Sequence, residues 1–223
     1  MKKISIILLI TLFSTAAFAQ MRSVRSIGSL KINWYKTGWF LDANAGVRFL
    51  GETSTAADML IRPSINGGIG YFFNEKFALK GRLDAHQFAA SYNSKIDNSM
   101  SIGASAEAVV RLLQVIKYRR SRDFALNLHA GAGLTALMNP SFRDEIEDKG
   151  GDYKGVLFNA DNIGHIVVGI TPQFHLNSRV SINLDISHFT QFKQNETYDS
   201  HNRVDAKSVT GVLSTTVGLT FRP

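Results

Sequence analysis

MSIGASAEAVVRL, residues 100–112, sets Met100, Ile102, Ala104, Ala106, Ala108, Val110 and Leu112 on one side and Ser101, Gly103, Ser105, Glu107 and Arg111 on the other. A period of two over this length is the signature of a β-strand with two unlike faces. The pattern repeats on both sides of it. Trp39, Leu41, Ala43, Ala45, Val47 and Phe49 oppose Asp42, Asn44, Gly46 and Arg48; Ile61, Ile65, Ile69 and Tyr71 oppose Arg62, Ser64, Asn66 and Gly68; Phe77, Leu79 and Leu83 oppose Lys80, Arg82, Asp84 and His86. Downstream, Phe124, Leu126, Leu128 and Leu134 oppose Asn127, His129 and Gly131, and Ile166, Val168, Ile170 and Phe174 oppose His165, Thr171, Gln173 and His175. Val180, Ile182, Leu184 and Ile186 then oppose Ser181, Asn183, Asp185 and Ser187, and Leu213, Val217, Leu219 and Phe221 oppose Ser214, Thr216, Gly218 and Thr220. Eight runs result, an even number that lets an antiparallel sheet close on itself.

Alternation alone does not separate a membrane barrel from a soluble sandwich or ligand-binding barrel. The links between runs do. Asn74-Glu75-Lys76, the basic stretch 118–122 and Asn177-Ser178 are short, whereas the intervening links are mostly longer, reaching 139–162 and 191–207. Short turns at one rim and long loops at the other are the habit of outer-membrane barrels. Two aromatic belts are expected at the rims: Trp39, Phe72, Phe77, Phe124, Phe174 and Phe221 on the turn side, Phe49 and Phe189 on the loop side, with Phe88 and Tyr92 nearby. The apolar face carries no Asp, Glu, Lys or Arg in its central band, where one would cost roughly 2–4 kcal/mol in lipid. The expected fold is all-β: an eight-stranded antiparallel up-and-down transmembrane β-barrel over residues 37–223.

Residues 1–19 combine Lys2 and Lys3, the apolar run Ile4–Phe13 and Ala17-Phe18-Ala19, the three-part layout of a cleavable signal peptide. The apolar run is about half the roughly 20 residues a spanning helix needs. Residues 20–36, with Arg22 and Arg25, read as a polar periplasmic lead-in. The 223 residues contain no Cys, which excludes a disulfide framework, thiolate metal sites and a Cys nucleophile. The formal charge of +7, falling to +5 once Lys2 and Lys3 leave with the leader, gives little reason to expect a nucleic-acid partner.

With these strands in view, the sequence resembles the small outer-membrane β-barrel family that includes the transmembrane domain of OmpA-type proteins. The residues that carry the likeness are Pro63-Ser64-Ile65-Asn66-Gly67-Gly68-Ile69-Gly70-Tyr71-Phe72-Phe73 with the turn into Phe77-Ala78-Leu79-Lys80-Gly81-Arg82, the pair of strands around Ala106–Leu112 and Leu126–Leu134, and Val217-Gly218-Leu219-Thr220-Phe221. The last is similar to the strand that the barrel-assembly machinery recognises, although the family usually ends on the aromatic and here Arg222 and Pro223 follow. The resemblance implies an outer-membrane location, with membrane lipid and lipopolysaccharide as neighbours. The peptidoglycan-binding domain that OmpA-type proteins often add has no counterpart in these residues, so that role is not carried over.

The polar face supplies the candidate site: Asp42, Arg48, Arg62, Lys80, Arg82, Asp84, Glu107, Arg111, His129 and Asp185. Charges enclosed in a barrel must pair, so an interior ion-pair and hydrogen-bond network is expected. His86, His129, His165 and His175 with the carboxylates could be read as a metal or acid–base cluster, but no local metal-binding spacing is present, and no catalytic, cofactor or metal residue is assigned. Ser187 and His188 would suit a lipid-modifying enzyme, except that neighbours on a strand face opposite ways. The glycines at 67–70 and 131–133 continue a strand and precede no helix, so they read as packing space and not as phosphate loops. The acidic loop cluster Asp144, Glu145, Glu147, Asp148 and Asp152 reads as solvated in preference to a divalent-cation site bridging lipopolysaccharide, and the basic turn Lys117, Arg119, Arg120 and Arg122 as lying against anionic headgroups or in water. A non-enzymatic barrel with a filled polar lumen leads; a narrow solute pore, a lipid-modifying enzyme and a soluble barrel with its faces exchanged stay open beside it.

Overall fold

The computed structural model describes residues 37–51, 58–92, 95–116, 123–138, 160–194, 198 and 209–223, with side chains described for all of these except 58–59, 90–92 and 95–98. The expected leader, the lead-in, the acidic loop cluster, the basic turn and the Tyr92 side chain lie outside these. The strands are β1 (Gly38–Leu50), β2 (Asp58–Leu60), β3 (Pro63–Phe72), β4 (Phe77–Tyr92), β5 (Lys95–Arg111), β6 (Phe124–Met138), β7 (Asp161–His175), β8 (Val180–Phe192) and β9 (Thr210–Phe221), and a single helical turn, α1 (Leu112–Val115), follows β5. Leu112, expected to prolong its strand, instead opens that turn.

Every pairing is antiparallel between neighbours, and β1 closes against β9, so the wall is a closed barrel of eight strands. Nine segments make eight walls because β2 and β3 share one. From Leu60 to Ser64 the chain advances four residues while its partner on β4 retreats only three, from Ala89 to His86, which is a bulge. Pro63, which has no backbone N–H to donate, begins the strand just after it. Following paired residues once around, from Gly38 through Phe72, Ala78, Val109, His129, Gly169, Ser187 and Ser214, returns to β1 at Arg48, ten residues higher. That stagger tilts the strands about 40° from the barrel axis.

The short turns fall where the sequence puts them. Asn74 and Asn177 build two of them the same way, each side-chain oxygen accepting from the backbone N–H groups two and three residues on. The link between β4 and β5 differs from expectation. Pairing continues out to Tyr92 and Lys95, so the connection is tight rather than a long loop, and this hairpin is the longest in the barrel.

The two faces separate cleanly. Leu41, Ile65, Leu83, Leu134 and Val217 are about half exposed on the outside. Inside, Arg82, Glu107, Asp185, Ser187 and Asn183 are almost wholly buried. Apolar atoms outward and charges inward reverse the layout of a soluble barrel and suit a wall whose solvent is hydrocarbon.

Candidate functional site

The lumen is the site, and its centre is one continuous electrostatic network. Arg82 projects from β4 to Asp185 on β8 at 3.4 Å and to Glu107 on β5 at 3.6 Å. Lys80 reaches Asp42 at 3.1 Å and Glu107 at 3.8 Å, and Arg48 reaches Asp84 at 3.0 Å. His129 stands between two carboxylates, its Nδ1 3.1 Å from Glu107 and its Nε2 3.6 Å from Asp185. Amides and hydroxyls extend the web: Asn44 donates to Asn66 at 2.8 Å, Asn66 to Thr216 at 3.1 Å, and Asn183 and Gln173 both to the Thr220 hydroxyl. Enclosing charges is costly unless they find counter-charges and hydrogen bonds; the charged groups of this web come from five strands, and its amides and hydroxyls add the other three.

Glycines make room for it. A Cβ at Gly103 would stand 2.7 Å from the Asp84 carboxylate, and one at Gly169 would run into the His129 ring. The glycines at 67–70 and 131–133 are likewise opposed by side chains or backbone.

Above and below the charged centre the lumen turns apolar. On the loop side Phe88, Leu137, Ile163, Val167, Phe189 and Val212 pack with Tyr198, which comes from the segment between β8 and β9. Tyr198 lies 4.5 Å from the Phe88 ring, its hydroxyl accepts from Gln191 at 2.6 Å and its carbonyl accepts from Ser99 at 2.7 Å. Burial pushes its phenol up to about 12, only partly offset by the Gln191 hydrogen bond and the Arg48 charge. On the turn side Phe40, Phe72, Ala78 and Val109 form a smaller cluster, with the Arg111 and Arg222 guanidiniums 3.6 and 4.7 Å from the Phe72 ring.

The structure corrects two belt aromatics. Phe72 and Phe189 point into the lumen, 4% and 1% exposed, as does Phe88. Phe189 shares the parity of Asp185 and Ser187, and under it sit the guanidiniums of Arg48 at 4.2 Å and Arg82 at 5.5 Å. The outward aromatic on that strand is Phe192. The turn-side belt contains Trp39, Tyr71, Phe73, Phe77 and Phe221, with Trp39 on Tyr71 at 5.2 Å and Phe124 on Phe174 at 5.0 Å. Phe49 is half-buried at the loop side. Of the ten residues expected in the lumen, eight meet in the central network. Arg111 sits apart at the turn end, donating to the Glu75 carbonyl at 3.2 Å, and Arg62 sits apart at the loop end.

Sequence reasoning missed one arrangement altogether. The Ser187 hydroxyl is 3.4 Å from His129 Nε2, whose Nδ1 faces Glu107, the order of a nucleophile, base and carboxylate. His188, the neighbour considered from sequence, points outward. Ser187 also donates to Asp185 and accepts from Arg82, and the cavity beside His129 and Asp185 measures about 30 Å³, room for one water. No acyl group fits there. Among the described residues no group of three or more His, Asp or Glu side chains is placed to hold a metal ion.

The family profile described as the outer membrane protein beta-barrel domain matches residues 5–221. No curated protein sequence matches the chain. Among solved structures, Neisserial surface protein A superposes with a TM-score of 0.54 at 11% identity, covering 83% of this chain and 97% of that one. The outer membrane protein OprG from Pseudomonas aeruginosa superposes with a TM-score of 0.52 at 10% identity, covering 86% and 99%. At such identities the likeness is one of fold.

Proposed function

Because the chain belongs to the outer-membrane β-barrel family, we propose that it is a non-conducting, non-enzymatic component of the outer membrane, exported by the leader at 1–19 and acting as a rigid support for its loops. Membership of the family implies the outer-membrane location. The observation that carries the rest is the packed lumen: the charged centre leaves a cavity of only about 30 Å³ and lies between two apolar clusters. An eight-stranded barrel is just wide enough for side chains to fill, which supports this reading. Lipid and lipopolysaccharide surround the apolar face in this reading, and the barrel-assembly machinery inserts it.

Reconstitution into planar bilayers tests the reading directly. Silence at high salt is expected; discrete current steps that persist in independent preparations would replace it with the pore. The enzyme reading draws on Ser187, His129 and Glu107, and lipid A mass spectra from cells with and without the gene address it. Identical spectra are expected, and a missing or added acyl chain would overturn the non-enzymatic assignment.

A further inference from the structure

At the loop-side rim the wall parts. Pairing between β1 and β3 ends at Val47 and Pro63, yet β1 continues along β9 to Leu50, and β2 continues along β4. Continuing the β1–β3 register would set Arg48 opposite Arg62, both on the inner face, with no ladder between them. A cavity of about 170 Å³ fills the gap. Its apolar walls include Phe49, Leu60, Ile61 and Pro63; its polar floor is Arg48, Arg62, Ser64 and His86.

The floor carries more positive charge than its partners answer. Asp84 takes Arg48 and also contacts His86 at 2.8 Å, while Arg62 has no ion pair among the described residues. Nitrogen Nε of both arginines, Nδ1 of His86 and the Ser64 hydroxyl are buried there without a hydrogen-bond partner, and Ser64 and His86 are only 1% and 2% exposed. Buried donors left unpaired are costly, so a vacancy of this composition suits an anion with several acceptor oxygens. Outside, the cavity shares Pro63, His86 and Gln87 with an apolar groove of about 400 Å³ that runs past Ile65, Ala85 and Met100 on the lipid-facing wall.

We propose that this notch binds the head of an anionic amphiphile, a carboxylate or phosphate held by Arg62, Ser64 and Arg48, with its acyl chain lying in the adjoining groove. The inference rests on the outer face being the lipid-facing one and is independent of whether the lumen conducts or catalyses. Cation and hydroxyl at one end and hydrocarbon at the other, at the depth of the rim, select a molecule standing in the bilayer and not a free solute.

The test uses the full-length protein in a neutral maltoside detergent, titrated with dodecanoate, dodecyl phosphate and dodecanol while heat-modifiable gel mobility confirms folding. Saturable binding of one or both anions, and not of dodecanol, is expected; the tighter anion tells a fatty carboxylate from a lipid phosphate. Arg62→Gln should weaken the anion on the order of tenfold, the size of one charge-assisted hydrogen bond, and Arg179→Gln in the exposed far turn should not. Equal binding by dodecanol, or by Arg62→Gln, overturns the proposal. Should Arg62→Gln fail to fold, a photoreactive dodecyl phosphate on the wild-type protein decides. Labelling confined to the peptide around residues 60–65 and displaced by unlabelled phosphate supports the notch, and labelling spread around the wall overturns it.

Discussion

The apolar clusters at the two ends of the lumen are built by different means. The turn-end cluster consists of residues of the strands themselves, Phe40, Phe72, Ala78 and Val109, with two guanidiniums laid against Phe72. The loop end is larger and draws in Tyr198 from outside the strands, fixed by Phe88, Gln191 and Ser99. A cluster made by the wall is as permanent as the wall, whereas one completed by a loop residue depends on where that loop lies. The charged centre lies between the two and touches the loop-end cluster through Phe189, over which Arg48 and Arg82 stand.

The largest effect should come from the centre. Arg82→Met leaves Glu107 and Asp185 facing each other without their guanidinium, and a loss of about 3–5 kcal/mol in urea unfolding from lipid vesicles is expected. A loss under 1 kcal/mol would mean that the apolar ends, not the ion pairs, hold the barrel. Next, Phe189→Ala empties the heart of the loop-end cluster and should cost about 3 kcal/mol by the same assay. Phe72→Ala, in the smaller cluster, is expected to cost less than Phe189→Ala, and the reverse order would contradict the contrast between the ends. The smallest change is Tyr198→Phe, which removes the hydroxyl bonded to Gln191 and should cost about 1 kcal/mol at neutral pH. A phenol raised to about 12 in the folded state holds its proton more tightly there than when unfolded, near 10. Stability from Tyr198 is therefore full below pH 10 and declines from there toward 12, and Tyr198→Phe should flatten that alkaline limb.

Much of the barrel was legible because its central band alternates without exception. Arg82, Asp84, Glu107 and Asp185 sit among Gly, Ser and Asn at every second position, a mixture that suits a barrel interior. Legibility failed near the rims. The inner face turns apolar at its ends, so inner and outer faces both become hydrophobic there: Phe72-Phe73 and Val167-Val168 each put apolar neighbours on opposite faces. Position along the strand suggested a membrane belt for Phe72 and Phe189, but parity with the charged residues was the better guide. The Ser187, His129 and Glu107 grouping could not be read at all, since it joins three strands whose register across the barrel is set by the ten-residue stagger. The notch was hidden for a similar reason: one extra residue before Pro63 breaks a ladder that periodicity assumes is continuous.

The seam between β1 and β9 has a consequence in time as well as in space. It pairs the first strand of the barrel with the last, Leu41 with Phe221, so every intermediate that precedes it exposes two unpaired strand edges at once. Contacts so distant in sequence form slowly, and an edge of bare N–H and C=O groups is intolerable in hydrocarbon. A chain built this way cannot enter the bilayer strand by strand; it must arrive with its edges held by another protein, or close and insert in a single step.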